Sequence, residues 1–186
     1  MDKYTDKFIG LLALTSIFLG GSSLPIEARG LPVKEGILNF GKVNEKLFRG
    51  AQPDAAGVAS LNQLGVKMII NLRMPDDVWK GEEAEAISHG IVYTNVPMRG
   101  MGRPSDDQIA TLLGLIETVP GPVFIHCQHG CDRTGTIIAC YRIKHDRWSR
   151  EKALAEAVYY GMSRFERGMK KFVADFGNAA TQLVKK

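Results

Sequence analysis

Cysteine is scarce in this chain. There are three in 186 residues, and two of them, Cys127 and Cys131, stand within five positions of each other. That excludes a disulfide framework. Basic residues are not interleaved with aromatics in a stripe, so a nucleic-acid partner is not expected. There is no internal repeat. Long apolar runs are lacking too: residues 8–19 form the longest, which is short for a membrane span. Lys3 and Lys7 precede that run, and Gly20-Gly21-Ser22-Ser23 and Pro25 follow it. This pattern reads as a secretory signal over residues 1–28, with cleavage after Ala28. Asp2 and Asp6 weaken the basic segment ahead of it, and an uncleaved N-terminal anchor is the alternative. The expected location is therefore periplasmic or secreted, with inner-membrane anchoring as the second reading.

What remains has ordinary composition, 45% apolar and 24% charged with a formal net charge of +4. Removing residues 1–28 takes out Lys3 and Lys7 but also Asp2, Asp6 and Glu27, so the balance becomes one unit more positive. A mildly basic body suits anionic substrates. Residues 29–46 read as a linker and 47–186 as one domain. The patterning predicts strands over 47–51, 66–72, 91–96 and 123–126. It predicts helices over 53–64, 79–88, 106–118 and 134–145, another running from a Ser149 cap through Val158, and a last one over 167–184. Strands alternating with helices argue an α/β fold, with a central, mostly parallel sheet of four to five strands flanked by helices. Its site would lie at the carboxyl ends of the strands.

One stretch carries chemistry: Val123-Phe124-Ile125-His126-Cys127-Gln128-His129-Gly130-Cys131-Asp132-Arg133-Thr134-Gly135. A cysteine closes a short apolar strand, an arginine follows six positions later, and a helical pattern begins at once. Unsatisfied N–H groups and the positive end of a helix dipole at such a junction favour a thiolate over the usual thiol, whose pKa is about 8.5. The same donors bind the oxygens of a phosphate. Gly130 lets the loop curl without a Cβ, and Arg133 offers a planar fork for two phosphate oxygens. Gln128, His129, Gly130, Cys131, Asp132 and Arg133 are therefore the candidate phosphate-binding residues. Thr134 is placed to give the sulfur a hydroxyl hydrogen bond, and His126 to orient the loop by bonding to backbone. The implied reaction is attack of Cys127 on phosphorus, followed by hydrolysis of the thiophosphate. No metal or other cofactor is called for, because the loop and Arg133 stabilise the charge. A zinc cluster of His126, Cys127, His129 and Cys131 is the competing use of these residues, but the ligands are crowded and Arg133 would have no part in it.

The loop resembles that of the cysteine-dependent protein phosphatases, His-Cys-x5-Arg-Thr/Ser. The likeness extends outward. Leu47-Phe48-Arg49-Gly50-Ala51-Gln52-Pro53 and Gly65-Val66-Lys67-Met68-Ile69-Ile70-Asn71-Leu72-Arg73 are similar to the first two strands of bacterial and fungal dual-specificity-type members. Tyr141-Arg142-Ile143 and Trp148-Ser149 are similar to the helix after the loop and the turn ending it, so residues 40–165 are covered. The resemblance implies a dual-specificity phosphatase fold and a metal-independent phosphatase. Its substrate would be a phosphorylated protein or a small phosphate ester, with phosphotyrosine first and phosphoserine and phosphothreonine in range. A monomer is expected, with a membrane tether where the N-terminus stays uncleaved. Inositol phosphates or phosphoinositides are the alternative substrates, and a phospho-ligand binding module without turnover is the alternative function.

The sequence departs from that family at one point. The resemblance implies a proton-donating aspartate just past the third strand, and Arg99-Gly100-Met101-Gly102-Arg103 holds no carboxylate there. Asp132, inside the loop, is one substitute; its Asp-Arg-Thr-Gly context is similar to bacterial and lipid phosphatases whose loop aspartate has been considered as the donor. Asp106 and Asp107 are the other candidates. Ser105 with Gln108 makes a capping box there, and that explains the two acidic residues without catalysis. Cys131 is placed to trap an oxidised Cys127 as a disulfide. Cys140 reads as core.

Overall fold

The computed structural model describes residues 34–177. Strand β5 (Val123–His126) is the centre of a five-stranded sheet. On one side it pairs in parallel with β2 (Leu47–Gly50), and on the other with β3 (Met68–Asn71), which pairs in parallel with β4 (Val92–Asn95). Strand β1 (Gly41–Asn44) adds an antiparallel edge beside β2, with a register shift between Lys42 and Asn44. Residues 41–44 thus belong to the sheet, although they fall in the segment read as linker.

Alternation along the strands divides the core in two. Ile69 and Phe124 face a cluster with Phe40, Phe48, Val58, Leu61 and Ile91. Helices α1 (Ala55–Gln63) and α2 (Glu82–Ser88) cover that side. Ile70 and Ile125 face the larger cluster, filled by Leu112, Ile116, Ile137, Ile138 and Phe172. That side carries α3 (Asp106–Thr118), α4 (Asp132–Lys144), α5 (Arg150–Tyr159) and α6 (Arg167–Asp175). With both faces covered, β3 and β5 are buried from end to end save for Met68, as parallel strands require.

Side chains set several of the helix starts. Asp54, Ser105 and Ser149 each accept a hydrogen bond from the amide three residues on, and so cap α1, α3 and α5. Several boundaries differ from the sequence reading, among them α1, which begins at Ala55 rather than residue 53. Helix α2 begins at Glu82 rather than residue 79, because Trp79 to Gly81 form a turn with the Trp79 ring against Gly81. Helix α4 begins two residues early, at Asp132. Helix α6 stops at Asp175, because Phe176 is extended and Gly177 has φ 73; positions 178–184 of the helix expected over 167–184 lie outside the described residues. Residues 8–19 also lie outside them; among the described residues no helix is long and apolar enough to cross a membrane.

The register places four strand ends in one row. Gly50 and Asn71 both stand opposite His126, and Asn95 stands opposite Asn71. The loop after His126 rises from the middle of that row.

Candidate active site

Residues 127–131 make the turn from β5 into α4, and almost every carbonyl near it is held from outside. The Leu72 amide donates to His126 O at 2.9 Å, and the Gln52 amide to Gln128 O at 3.2 Å. Asn39 Nδ2 donates to His129 O at 3.0 Å, and Arg49 Nη2 to Gly130 O at 2.7 Å. Cys131 O and Asp132 O accept from the Gly135 amide and the Thr136 hydroxyl within α4. Carbonyls bonded outward in this way leave a loop's N–H groups to converge on the start of the helix that follows. This is the arrangement that binds an anion. Gly130 is indispensable: its φ is 68, and a Cβ there would stand 2.5 Å from the carbonyl carbon and oxygen of Gly50.

Cys127 is buried, 3% exposed. Arg133 is nearly buried, and its Nη1 points at the carbonyls of Leu72 and Met98, 3.4 Å from each. The guanidinium is thus anchored at the ends of β3 and β4. Cys127 and Arg133 lie at the two ends of one loop over the same row of strand ends. Asp132 Oδ1 accepts the Ser163 amide hydrogen at 2.7 Å, which ties the loop to the α5–α6 connection. Asp106 and Asp107 are exposed in the first turn of α3. The Thr134 hydroxyl is buried with no hydrogen-bond partner among the described residues, so the bond to sulfur expected of it is not formed. Cys131 accepts from Asn39 Nδ2 at 3.5 Å and donates to His129 O at 3.3 Å. The four zinc-type residues of the loop do not gather as a metal site among the described residues. Burial pushes the Cys140 thiol far up, which makes it inert core.

Beneath the loop lies a polar network of which the sequence announced only His126, with its bond to backbone. His126 Nδ1 is 3.3 Å from Cys127 O, and its Nε2 is 2.7 Å from Glu82 Oε1, off the line of a hydrogen bond. Glu82 Oε2 accepts from Asn71 Nδ2 at 2.7 Å, and the same amide group donates to the Tyr93 hydroxyl at 3.0 Å. Burial, helped by the nearby Glu82 carboxylate, pushes the Tyr93 phenol up to about 12. Asn95 Nδ2 donates to the carbonyls of Asn71 and Arg73. Asp77 also gave no signal in sequence. Its hydrogen bonds from Arg73 hold its carboxyl below the usual range, and the charge of Arg133 adds to this. That makes it a poor proton donor.

A groove of about 350 Å³ adjoins the site at Met98. Its walls include Met74, Pro97, Met98, Met101, Pro104 and Met169, with Arg99 and Arg103 beside them. The Arg103 charge is engaged: it pairs with Asp175 at 3.2 Å and stacks on Phe172. One carboxylate ties two walls of the groove together. Glu166, 4% exposed, accepts from the Gly102 amide at 3.1 Å and the Met169 amide at 3.4 Å. Gly168 lies so close that a Cβ there would stand 2.5 Å from the Gly102 backbone.

Comparison with known proteins agrees with this geometry. The family model described as DSP-PTPase phosphatase fused to NAD+ kinase matches residues 31–175. The chain is 31% identical over 127 residues to the dual specificity protein phosphatase TpbA of Pseudomonas aeruginosa, which covers 67% of this chain and 55% of that protein. It thus spans about half the length of the TpbA proteins it matches. It is 27% identical over 144 residues to the inositol diphosphatase DSP5 of Arabidopsis thaliana, covering 74% of this chain and 69% of that one. Among solved structures, P. aeruginosa TpbA, as a cysteine-to-serine variant in complex with phosphotyrosine, superposes with a TM-score of 0.67 at 26% identity. That match covers 78% of this chain and 89% of the other. The catalytic core of the PP-IP phosphatase Siw14 of S. cerevisiae shares the fold, with a TM-score of 0.67 at 24% identity over 78% and 90% of the two chains.

Proposed function

The chain belongs to the dual-specificity, protein-tyrosine-phosphatase-like family of cysteine-dependent phosphatases, and from that premise we propose that it hydrolyses phosphotyrosine through a cysteinyl-phosphate intermediate. The observation that carries the reading is the loop itself, with its carbonyls bonded outward around Cys127 and with Arg133 at its far end. Cys127 attacks phosphorus in line with the leaving oxygen. The inward amides and Arg133 hold the three equatorial oxygens and the charge that builds on them. Asp132, beside Arg133, donates the proton to the leaving alcohol, and water then releases phosphate from sulfur. Asp106 and Asp107 sit one and two residues beyond Ser105, which lines the groove, and are the second choice.

The groove supports an aromatic leaving group. Thioether and proline walls suit a flat ring. An inositol ring bearing several phosphates needs several uncommitted cations, and only Arg99 of the two groove arginines is without an ion pair among the described residues. An aryl oxygen is also the leaving group that needs least help from an acid. The inositol reading keeps one support, the similarity to an inositol diphosphatase.

The test compares kcat/KM for p-nitrophenyl phosphate, a phosphotyrosine peptide, a phosphoserine peptide and inositol polyphosphates, in wild type and Cys127→Ser. The aryl substrates are expected to lead, and all turnover is expected to vanish in the variant. Preference for inositol polyphosphates would replace the substrate assignment. Tight phosphopeptide binding without turnover by wild type would make the chain a binding module. The apolar run at residues 8–19 supports export to the periplasm as part of the same reading, which N-terminal sequencing of the mature protein checks.

A further inference from the structure

Arg49 stands where an arginine is costly. It lies in β2, between the antiparallel edge strand and the central strand, and is 1% exposed. Its Nη2 donates to Gly130 O at 2.7 Å. Its guanidinium stacks on the Tyr160 ring, 3.8 Å from the centroid. Nε and Nη1 have no hydrogen-bond partner, and no carboxylate pairs with it among the described residues. A buried charge without a counter-ion is unfavourable, and a position that needed only filling would carry an apolar side chain. Something that anionic chemistry supplies must offset the cost.

The titratable groups that act on it most among the described residues are Tyr160, Glu156, Cys127 and Cys131. Glu156 is already held by Arg142, at 2.8 and 3.1 Å. Burial pushes the Tyr160 phenol up, which keeps it neutral. Burial lowers Arg49 as well, yet a guanidinium stays protonated in any working range. What is left to face it is the loop that it bonds: Cys127, Cys131 and whatever anion the loop holds.

We propose that Arg49 is the positioning residue of the phosphate-binding loop, fixing the Gly130 carbonyl outward from below and placing a buried positive charge under the Cys127 sulfur. Asn39 works beside it. Its φ is 51, and its Nδ2 holds His129 O and Tyr160 O, at 3.0 and 2.9 Å. Together the two side chains set consecutive loop carbonyls and lock Tyr160 into the same unit. Arg49 touches neither substrate nor reacting atoms; it acts through the loop. The inference rests on the reading of Cys127 as nucleophile and adds what holds the loop around it in shape.

The test uses Arg49→Met, which removes charge and donors, Arg49→Gln, which keeps a donor for Gly130 O, and Arg49→Lys, which keeps charge. Circular dichroism and thermal melting establish folding for each. The readouts are the pH dependence of iodoacetamide alkylation at Cys127, followed by mass spectrometry, and the inhibition constant of inorganic phosphate. In Arg49→Met the alkylation profile is expected to move up by about one pH unit, a tenfold loss of thiolate at acidic pH, and phosphate inhibition is expected to weaken at least as much. Arg49→Lys retains the alkylation profile better than Arg49→Gln. If Arg49→Met does not fold, the contrast between lysine and glutamine decides. Folded variants with alkylation profile and phosphate affinity unchanged from wild type would overturn the proposal. Loss of turnover in wild type itself would strike the nucleophile reading instead, and the phosphate measurement keeps the two failures apart.

Discussion

Glu82 and His126 meet at 2.7 Å with both side chains fully buried, one at the first turn of α2 and the other at the end of the central strand. The contact joins the two halves of the sheet's polar row, since Glu82 also accepts from Asn71. Removing it leaves Asn71 and His126 without their partner in a dry place. Glu82→Ala is expected to cost about 3 kcal/mol, measured by urea unfolding. Glu82→Gln, whose amide oxygen still accepts from Asn71, should lose less. An alanine variant as stable as wild type would mean the network is slack.

Asp132 carries two duties in this account, a tether to Ser163 and a proton. Asparagine keeps an acceptor for the Ser163 amide but has no acidic proton. Asp132→Asn is therefore expected to melt near wild type and to lose about 100-fold in turnover of alkyl phosphates, with the basic limb of its pH profile gone. Its p-nitrophenyl phosphate rate should fall far less. Asp106→Asn and Asp107→Asn should leave both rates and the basic limb in place. If either of these flattens that limb while Asp132→Asn does not, the proton comes from α3.

Acid stability has a separate source. Arg142 grips Asp146 at 2.7 Å and Glu156 at 2.8 Å, and stacks on the Trp148 ring. Burial pushes the Asp146 carboxyl up, but the hydrogen bonds from Arg142 and His145 outweigh it and hold the group below the usual range. A carboxylate depressed in the folded state stabilises fully above its unfolded pKa, about 3.9, and loses that contribution as pH falls through the folded value. The melting temperature of wild type should exceed that of Asp146→Asn near neutrality, by the equivalent of about 1 kcal/mol. The gap should close toward pH 2 or so. A gap constant over this range would remove the pair from the acid response.

Much of the site was legible because it is contiguous. Cys127 through Arg133 is one turn of chain, and Ser105 with Gln108 fixes the start of α3 from four consecutive residues. What escaped reading is held together across the chain. Arg49 and Gly130 are 81 positions apart, Asn39 and His129 are 90 apart, and periodicity carries no record of such pairs. Glu82 in a helix first turn looks like a dipole complement; only the fold shows that it faces inward to His126. The clue that could have exposed Arg49 was its setting, a charged side chain inside an otherwise apolar strand, which demands a partner. Strand β1 was missed because Gly41-Lys42-Val43-Asn44 has little apolar alternation, and its pairing comes from β2.

Glu166 receives an amide from each of two segments, Gly102 ahead of α3 and Met169 within the final helix. The lip of the cleft and that helix are consequently tied through one buried side chain. A search for altered selectivity would do well to sample positions facing the Gly102 contact from the helix, where a change shifts the lip without disturbing the chemistry beneath it.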